Sequence, residues 1–139
     1  MIFHGFKQIK ETGKVKLFKS CNQNYEDGGQ LRDFVYVKDI CSAMYWMLEH
    51  PEVNGLFNLG TGRAQSFREL AEATFYALGL EPNIEYIDMP EHLKKKYQYY
   101  TKAEMGKLRE VGYDKEFRNL EQGARDYVLE HLDKDFEIY

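Results

Sequence analysis

Apolar residues first recur at Ile2, Phe3, Phe6 and Ile9, with Lys7, Gln8 and Lys10 between them. That spacing predicts a half-buried helix over residues 2–11, ended by Gly13. Val15-Lys16-Leu17-Phe18 switches to alternation and predicts a short strand, after which the polar, glycine-rich stretch Lys19 to Gly29 predicts a surface loop. Loops of about ten residues are common binding segments. Phe34 to Val37 reads as a second strand. Ile40, Ala43, Met44, Met47 and Leu48 then return to helical spacing, with Asp39 near the helix start and Pro51 as its stop.

Leu56-Phe57-Asn58-Leu59 predicts a third strand, running into Gly60-Thr61-Gly62-Arg63. Ser66 and Glu69 have the spacing of a capping box, and Leu70, Ala71, Thr74, Phe75 and Leu78 form the buried face of the helix it opens, with Gly79 as the stop. Ile84 to Ile87 alternates as a fourth strand. A short basic run, Lys94-Lys95-Lys96, precedes Tyr97-Gln98-Tyr99-Tyr100. Thr101 and Glu104 predict another capping box, for a helix with Met105 and Leu108 inward and Gly112 at its end. Asn119 with Gln122 opens the last helix, whose core face is Leu120, Ala124, Tyr127, Val128 and Leu132, and Asp133 to Tyr139 reads as a mixed tail. About five helices interleaved with four short strands predict an α/β or α+β class and one domain over residues 1–139. Four short strands make a thin sheet, whose edges are a liability unless something pairs with them.

Composition narrows the function classes. The chain has 139 residues, 43% of them hydrophobic, enough for one domain with a real core. Its 19 basic and 23 acidic side chains are interspersed, with a formal charge of −4, which favours neither nucleic acid nor an anionic membrane as partner. Cys21 and Cys41 lack metal-ligand spacing and read as reduced, cytosolic thiols. Core-type residues begin at once, without a polar lead-in, so a longer parent continuing upstream of Met1 is expected.

The candidate chemistry is anion binding. Arg32-Asp33 sits where rigid structure meets loop, and its residues admit two readings: an ion pair between neighbours, or a planar fork gripping a phosphate or carboxylate. Gly60-x-Gly62 before a helix resembles half of a phosphate cradle, although such a turn is as readily a plain tight turn. Lys94 to Lys96 beside the tyrosines is a solvated face or a phosphate contact. No paired carboxylates stand out, His4, His50, His92 and His131 show no metal-ligand spacing, and there is no Gly-x-Ser-x-Gly elbow. The basic and tyrosine positions therefore suggest a binding half rather than a reacting half.

Arg-Asp-Phe-Val-Tyr-Val-Lys-Asp-Ile (32–40) and Gly-Leu-Phe-Asn-Leu-Gly-Thr-Gly-Arg-Ala-Gln-Ser-Phe (55–67) resemble the C-terminal half of extended short-chain dehydrogenase/reductases acting on nucleotide sugars. Phe18-Lys19-Ser20, Glu85-Tyr86-Ile87, Lys96-Tyr97-Gln98, Thr101 to Glu104 and Gly112-Tyr113-Asp114-Lys115 are similar, more narrowly, to the ADP-glyceromanno-heptose 6-epimerase family. The resemblance implies a Rossmann-superfamily α/β protein that keeps NADP bound in an N-terminal domain absent from these 139 residues. It implies an ADP-sugar substrate, a cytoplasmic place in lipopolysaccharide synthesis, and a homo-oligomer when full length. It assigns substrate binding to His4, Phe18, Lys19, Ser20, Cys21, Arg32 and Tyr97: Arg32 and Tyr97 to the pyrophosphate, His4 near the sugar or phosphates, and the others to the nucleotide end. The family's glycine fingerprint and Tyr-x-x-x-Lys pair do not occur here, so no catalytic or cofactor-binding residue is expected in this chain. The chain alone is expected to be inactive, with an apolar face, formed partly by Ile2, Phe3 and Phe6, left for the Rossmann half. Other readings are the same part of a different nucleotide-sugar epimerase, dehydratase or reductase, or a non-catalytic nucleotide-binding or oligomerisation remnant.

Overall fold

Helix α3 (Phe67–Ala77) is the element against which the others pack. Its start is fixed locally: the Ser66 hydroxyl accepts the Glu69 N–H at 3.0 Å and the Glu69 carboxylate accepts the Ser66 N–H at 2.6 Å. A reciprocal cap of this kind is worth about 1 kcal/mol. Leu70, Ala71, Ala73, Thr74 and Phe75 are all buried, so α3 is enclosed on two sides, and the one polar member is satisfied because the Thr74 hydroxyl donates to the Leu70 carbonyl at 2.8 Å.

The computed structural model describes residues 1–134. On one side of α3 lie α1 (Ile2–Thr12), closed by left-handed Gly13, and a parallel pair of strands, β1 (Val15–Phe18) with β4 (Ile84–Ile87), in register Val15↔Ile84 to Phe18↔Ile87. Ile9, Val15, Leu17, Ala71 and Phe75 form the core there. On the other side lies α6 (Leu120–Tyr127), opened by the reciprocal Asn119–Gln122 cap and continued by a π turn at Val128–Leu132. A third cluster, Ala43, Leu108 and Tyr113, sits under α2 (Val37–Glu49). The second sheet is antiparallel and short, β2 (Leu31–Arg32) with β3 (Gln65–Ser66), and a parallel bridge joins Leu31 to Tyr100. Short helices α4 (Glu91–Lys94) and α5 (Gly106–Glu110) complete the described elements.

Three expectations are corrected. The strand expected over Phe34–Val37 lies earlier, at Leu31–Arg32, because the ladder is set by β3; Phe34 instead packs its ring edge-on to Phe67, and α2 begins at Val37 with Asp39 in its first turn, as expected. Leu56–Leu59 alternates as expected but forms no ladder among the described residues. The Thr101–Glu104 capping box does not form: the Thr101 N–H donates to the Leu31 carbonyl at 3.2 Å, and the helix starts only at Gly106. The four described strands thus form two separate pairs rather than one thin sheet. Of the expected tail, residues 135–139 lie outside the described residues. Among those described, no helix is long and apolar enough to cross a membrane.

The entry to α2 is clamped onto α6. Tyr36 and Lys38 both donate to Asp126, and the Arg118 side chain and backbone donate to buried Asp39. Burial, reinforced by the hydrogen bond to Asp126, raises the Tyr36 phenol. The Lys38 hydrogen bond, followed by that from Tyr36, lowers the Asp126 carboxyl below its ordinary 3.8. A depressed carboxyl contributes stability that is fully present above its ordinary value and is lost as pH falls through the lowered one. The urea midpoint should therefore drop below about pH 4 more steeply in the native chain than in Asp126→Asn. Parallel midpoint curves would show that the clamp adds nothing.

Candidate functional site

Residue pairing in the short sheet decides where Arg32 points. Arg32 lies opposite Gln65, two residues before Phe67, and its guanidinium stands 5.7 Å from the ring centre of Phe67 and 5.7 Å from that of Tyr97. Nη1 donates to the Leu31 carbonyl at 2.7 Å, and Nη2 donates to the Gln98 carbonyl. No ion pair involves Arg32 among the described residues. The fork is thus held by neutral carbonyls and two aromatic faces, no described carboxylate neutralises its charge, and its remaining N–H donors can meet an anion.

Asp33 is occupied elsewhere, which rules out the ion pair between neighbours. Oδ1 accepts the Thr61 N–H at 2.8 Å and the Thr61 hydroxyl at 2.6 Å; Oδ2 accepts the Gly62 N–H at 2.9 Å and the Ala103 N–H at 3.0 Å. The Gly-x-Gly turn is therefore a protein-internal anion nest whose occupant is Asp33, and the tight-turn reading of this motif holds. Gly60 is required by close approach: a Cβ there would stand 2.5 Å from the Ala103 Cβ and 2.8 Å from Asp33 Oδ2. These three amides are thus taken by Asp33 and are not open to a pyrophosphate.

The other expected site residues divide into two groups. Phe18 and Tyr97 meet edge-on at 6.4 Å, and Tyr97 meets Tyr99 at 5.4 Å. The Tyr99 hydroxyl accepts the Cys21 N–H at 3.0 Å, and the Ser20 N–H donates to Asp27 at 2.7 Å, which folds the loop back beside the tyrosines. Burial raises the Tyr97 phenol, so its hydroxyl stays a neutral donor. Phe18, Cys21, Arg32 and Tyr97 are thus linked in one cluster, while Ser20, next to Cys21 in the loop, bonds Asn22 and Asp27. Lys19 pairs with Asp88, at 3.0 Å. His4 is exposed on α1, edge-on to Phe3 at 5.6 Å, and has no hydrogen bond or ring contact with the cluster among the described residues. Arg63 lies with Arg109 and Arg118 on a separate small cavity, and Lys94 pairs with Glu91.

Sequence reasoning gave no role to Phe67 or Arg68, and took Gln98 and Tyr99 only as part of the tyrosine segment. Arg68 donates to the Tyr86 hydroxyl at 3.0 Å, to Glu26 at 3.2 Å and to the Asp27 carbonyl at 2.7 Å, stapling the Lys19–Gly29 loop to α3 and β4. Between that loop and β3 opens a cavity of about 350 Å³, bordered by Tyr25, Leu31, Ser66 and Arg68. A second, apolar cavity of about 460 Å³ lies between α1, the Asp33–Val37 segment and α6; neither Arg32 nor Tyr97 lines it.

Residues 7–123 match the GDP-mannose 4,6 dehydratase family. A curated relative from Nitratidesulfovibrio vulgaris named ADP-L-glycero-D-manno-heptose-6-epimerase is 50% identical over 132 residues, which is 95% of this chain and 41% of that protein. A relative of the same name from Fusobacterium nucleatum is 48% identical over 141 residues, 97% of this chain and 42% of that protein. The crystal structure of Helicobacter pylori ADP-L-glycero-D-manno-heptose-6-epimerase superposes with a TM-score of 0.69 at 26% identity, over 92% of this chain and 36% of that one. This chain therefore spans well under half the length of the relatives it matches. On the family match and the shared architecture together, the chain belongs to the GDP-mannose 4,6 dehydratase family, and its fold is a partial α/β portion of an extended short-chain dehydrogenase/reductase.

Proposed function

We propose that this chain is the substrate-binding portion of an NADP-dependent ADP-glyceromanno-heptose 6-epimerase, which interconverts ADP-D-glycero- and ADP-L-glycero-D-manno-heptose for lipopolysaccharide core synthesis in the cytoplasm. The observation that carries the reading is the Arg32 fork, held between Phe67 and Tyr97 and in no ion pair among the described residues. The names of the curated relatives support the ADP-heptose substrate. In this reading Arg32 and the neutral Tyr97 hydroxyl grip the two phosphates. Phe18, Lys19, Ser20 and Cys21 line the nucleotide end, and His4 approaches the sugar or phosphates when substrate is bound. Fixing the diphosphate leaves the heptose free to turn, which a reaction that presents both faces of C6 requires. NADP is assigned to the N-terminal portion of the longer protein, which acts as a homo-oligomer, and residues 1–139 act as one binding domain without turnover of their own.

Calorimetric titration of the purified chain with ADP, ADP-heptose and NADP tests this reading. Binding of the two ADP-linked ligands without NADP is expected; indifference to all three would retire it. A second reading, another nucleotide sugar on the same scaffold, is favoured by the family match itself. Tighter binding of GDP- or UDP-sugars than of ADP-heptose would select it.

A further inference from the structure

Of the residues expected at the nucleotide end, Ser20 and Cys21 lie in the Lys19–Gly29 loop, which contains turns and bends but neither helix nor strand. A segment of that kind holds one shape only where other elements tie it down. Its neck is tied by main chain: the Gly28 N–H donates to the Phe18 carbonyl at 3.3 Å, and the Arg68 N–H donates to the Gly28 carbonyl at 3.0 Å. Gly28 stands at φ +70° against Tyr86, where a Cβ would come within 2.9 Å of the Tyr86 ring. The neck therefore rests directly on β4.

One side chain ties the returning limb. Arg68, in the first turn of α3, spreads its guanidinium over three acceptors: Nε donates to the Tyr86 hydroxyl at 3.0 Å, Nη2 to the Asp27 carbonyl at 2.7 Å and Nη1 to the Glu26 carboxylate at 3.2 Å. The Glu26 side chain is 82% exposed, so that ion pair is screened and contributes least. The hold comes from the part-buried bonds to Tyr86 and Asp27. Asp27 passes it on, because its carboxylate accepts the Ser20 N–H at 2.7 Å across the loop. Among the described residues Arg68 has no hydrogen bond or ring contact with Arg32 or Tyr97, so its reach into the site runs through Asp27 and Ser20.

We infer that Arg68 is a positioning residue for the nucleotide end: through Asp27 it holds Ser20 and Cys21 in place before a ligand arrives. This rests on the proposed reading of the chain as a binder of ADP-linked sugars. A loop that must order itself on binding subtracts that cost from affinity, and a loop already held does not. The planar fork suits the task, since its donors diverge at once to β4 and to the returning limb of the loop. A lysine would bring one nitrogen to acceptors on separate segments. The effect is confined to one end of the ligand, because Arg32 is held by the Leu31 and Gln98 carbonyls and by the Phe67 and Tyr97 rings, none of them in the loop.

The test uses the 139-residue chain and its Arg68→Ala, Arg68→Lys and Asp27→Ala variants. Without ligand, hydrogen exchange at the Ser20 and Cys21 amides should be about tenfold faster in Arg68→Ala, with the α3 amides of Thr74 and Phe75 unchanged. In calorimetric titration the Kd for ADP should rise roughly tenfold, while that for inorganic pyrophosphate, which meets only the Arg32 end, stays within about twofold. A merely structural role would weaken both. Arg68→Lys should recover part of the ADP affinity. Asp27→Ala should match Arg68→Ala, and the double variant should bind ADP no more weakly than either alone, because both break one relay. Asp27→Ala leaves α3 untouched, so it decides the matter should Arg68→Ala fail to fold. Unchanged exchange at Ser20, an unchanged ADP Kd, equal losses for ADP and pyrophosphate, or additive losses in the double variant would each overturn the inference. If the native chain binds no ADP, the substrate reading falls instead, and the exchange rates alone then decide whether Arg68 positions Ser20 and Cys21.

Discussion

Asp33→Ala is expected to destabilise the chain by about 3–4 kcal/mol, read from the urea midpoint. Four donors converge on this one carboxylate, from Thr61, Gly62 and Ala103. Hydrogen bonds to a charged acceptor are worth roughly 1.5–3 kcal/mol each, and they do not add in full. The isosteric Asp33→Asn is the sharper probe. Its amide would turn an N–H₂ toward backbone N–H groups that can only donate, so it should cost nearly as much as alanine although nothing is removed in volume. A loss below about 1 kcal/mol for either variant would mean that water replaces the carboxylate and that the turn holds its shape without it.

Arg32→Ala, made in the full-length context, is expected to weaken ADP-sugar binding by about 1.5–3 kcal/mol, the worth of a charged hydrogen bond, or roughly ten- to 150-fold in Kd. Arg32→Lys should recover only part of this. Lysine keeps the charge but has no planar fork to lie between Phe67 and Tyr97 while reaching the Leu31 and Gln98 carbonyls. Both variants need a thermal melt beside the titration, because the same guanidinium ties β2 to the tyrosine segment. Unchanged affinity in a folded Arg32→Ala protein would remove this residue from the binding role.

What could be read along the chain was what the chain settles over short distances. The Ser66–Glu69 and Asn119–Gln122 caps and the Gly13 stop are decided by residues three or four apart, and they stand as expected. Phe34–Val37, Leu56–Leu59 and Thr101–Glu104 carry equally good local signals, yet what each becomes depends on partners far along the chain, and Leu56–Leu59 finds no ladder among the described residues. Thr101 is drawn into an extended path by Leu31, so its capping potential goes unused. The same limit applies to the site. Arg32 and Tyr97 were visible as a motif, but Phe67 comes over Arg32 only through the β2–β3 register, and Asp33 serves donors 28 and 70 residues away that no spacing rule marks.

The parallel pairing of β1 with β4 has a kinetic consequence. These strands come from distant parts of the chain, and α3, which covers them, lies between them in sequence. Closing so long a loop costs entropy before any strand contact repays it. Refolding should accordingly be slower than the helical content of the chain alone implies.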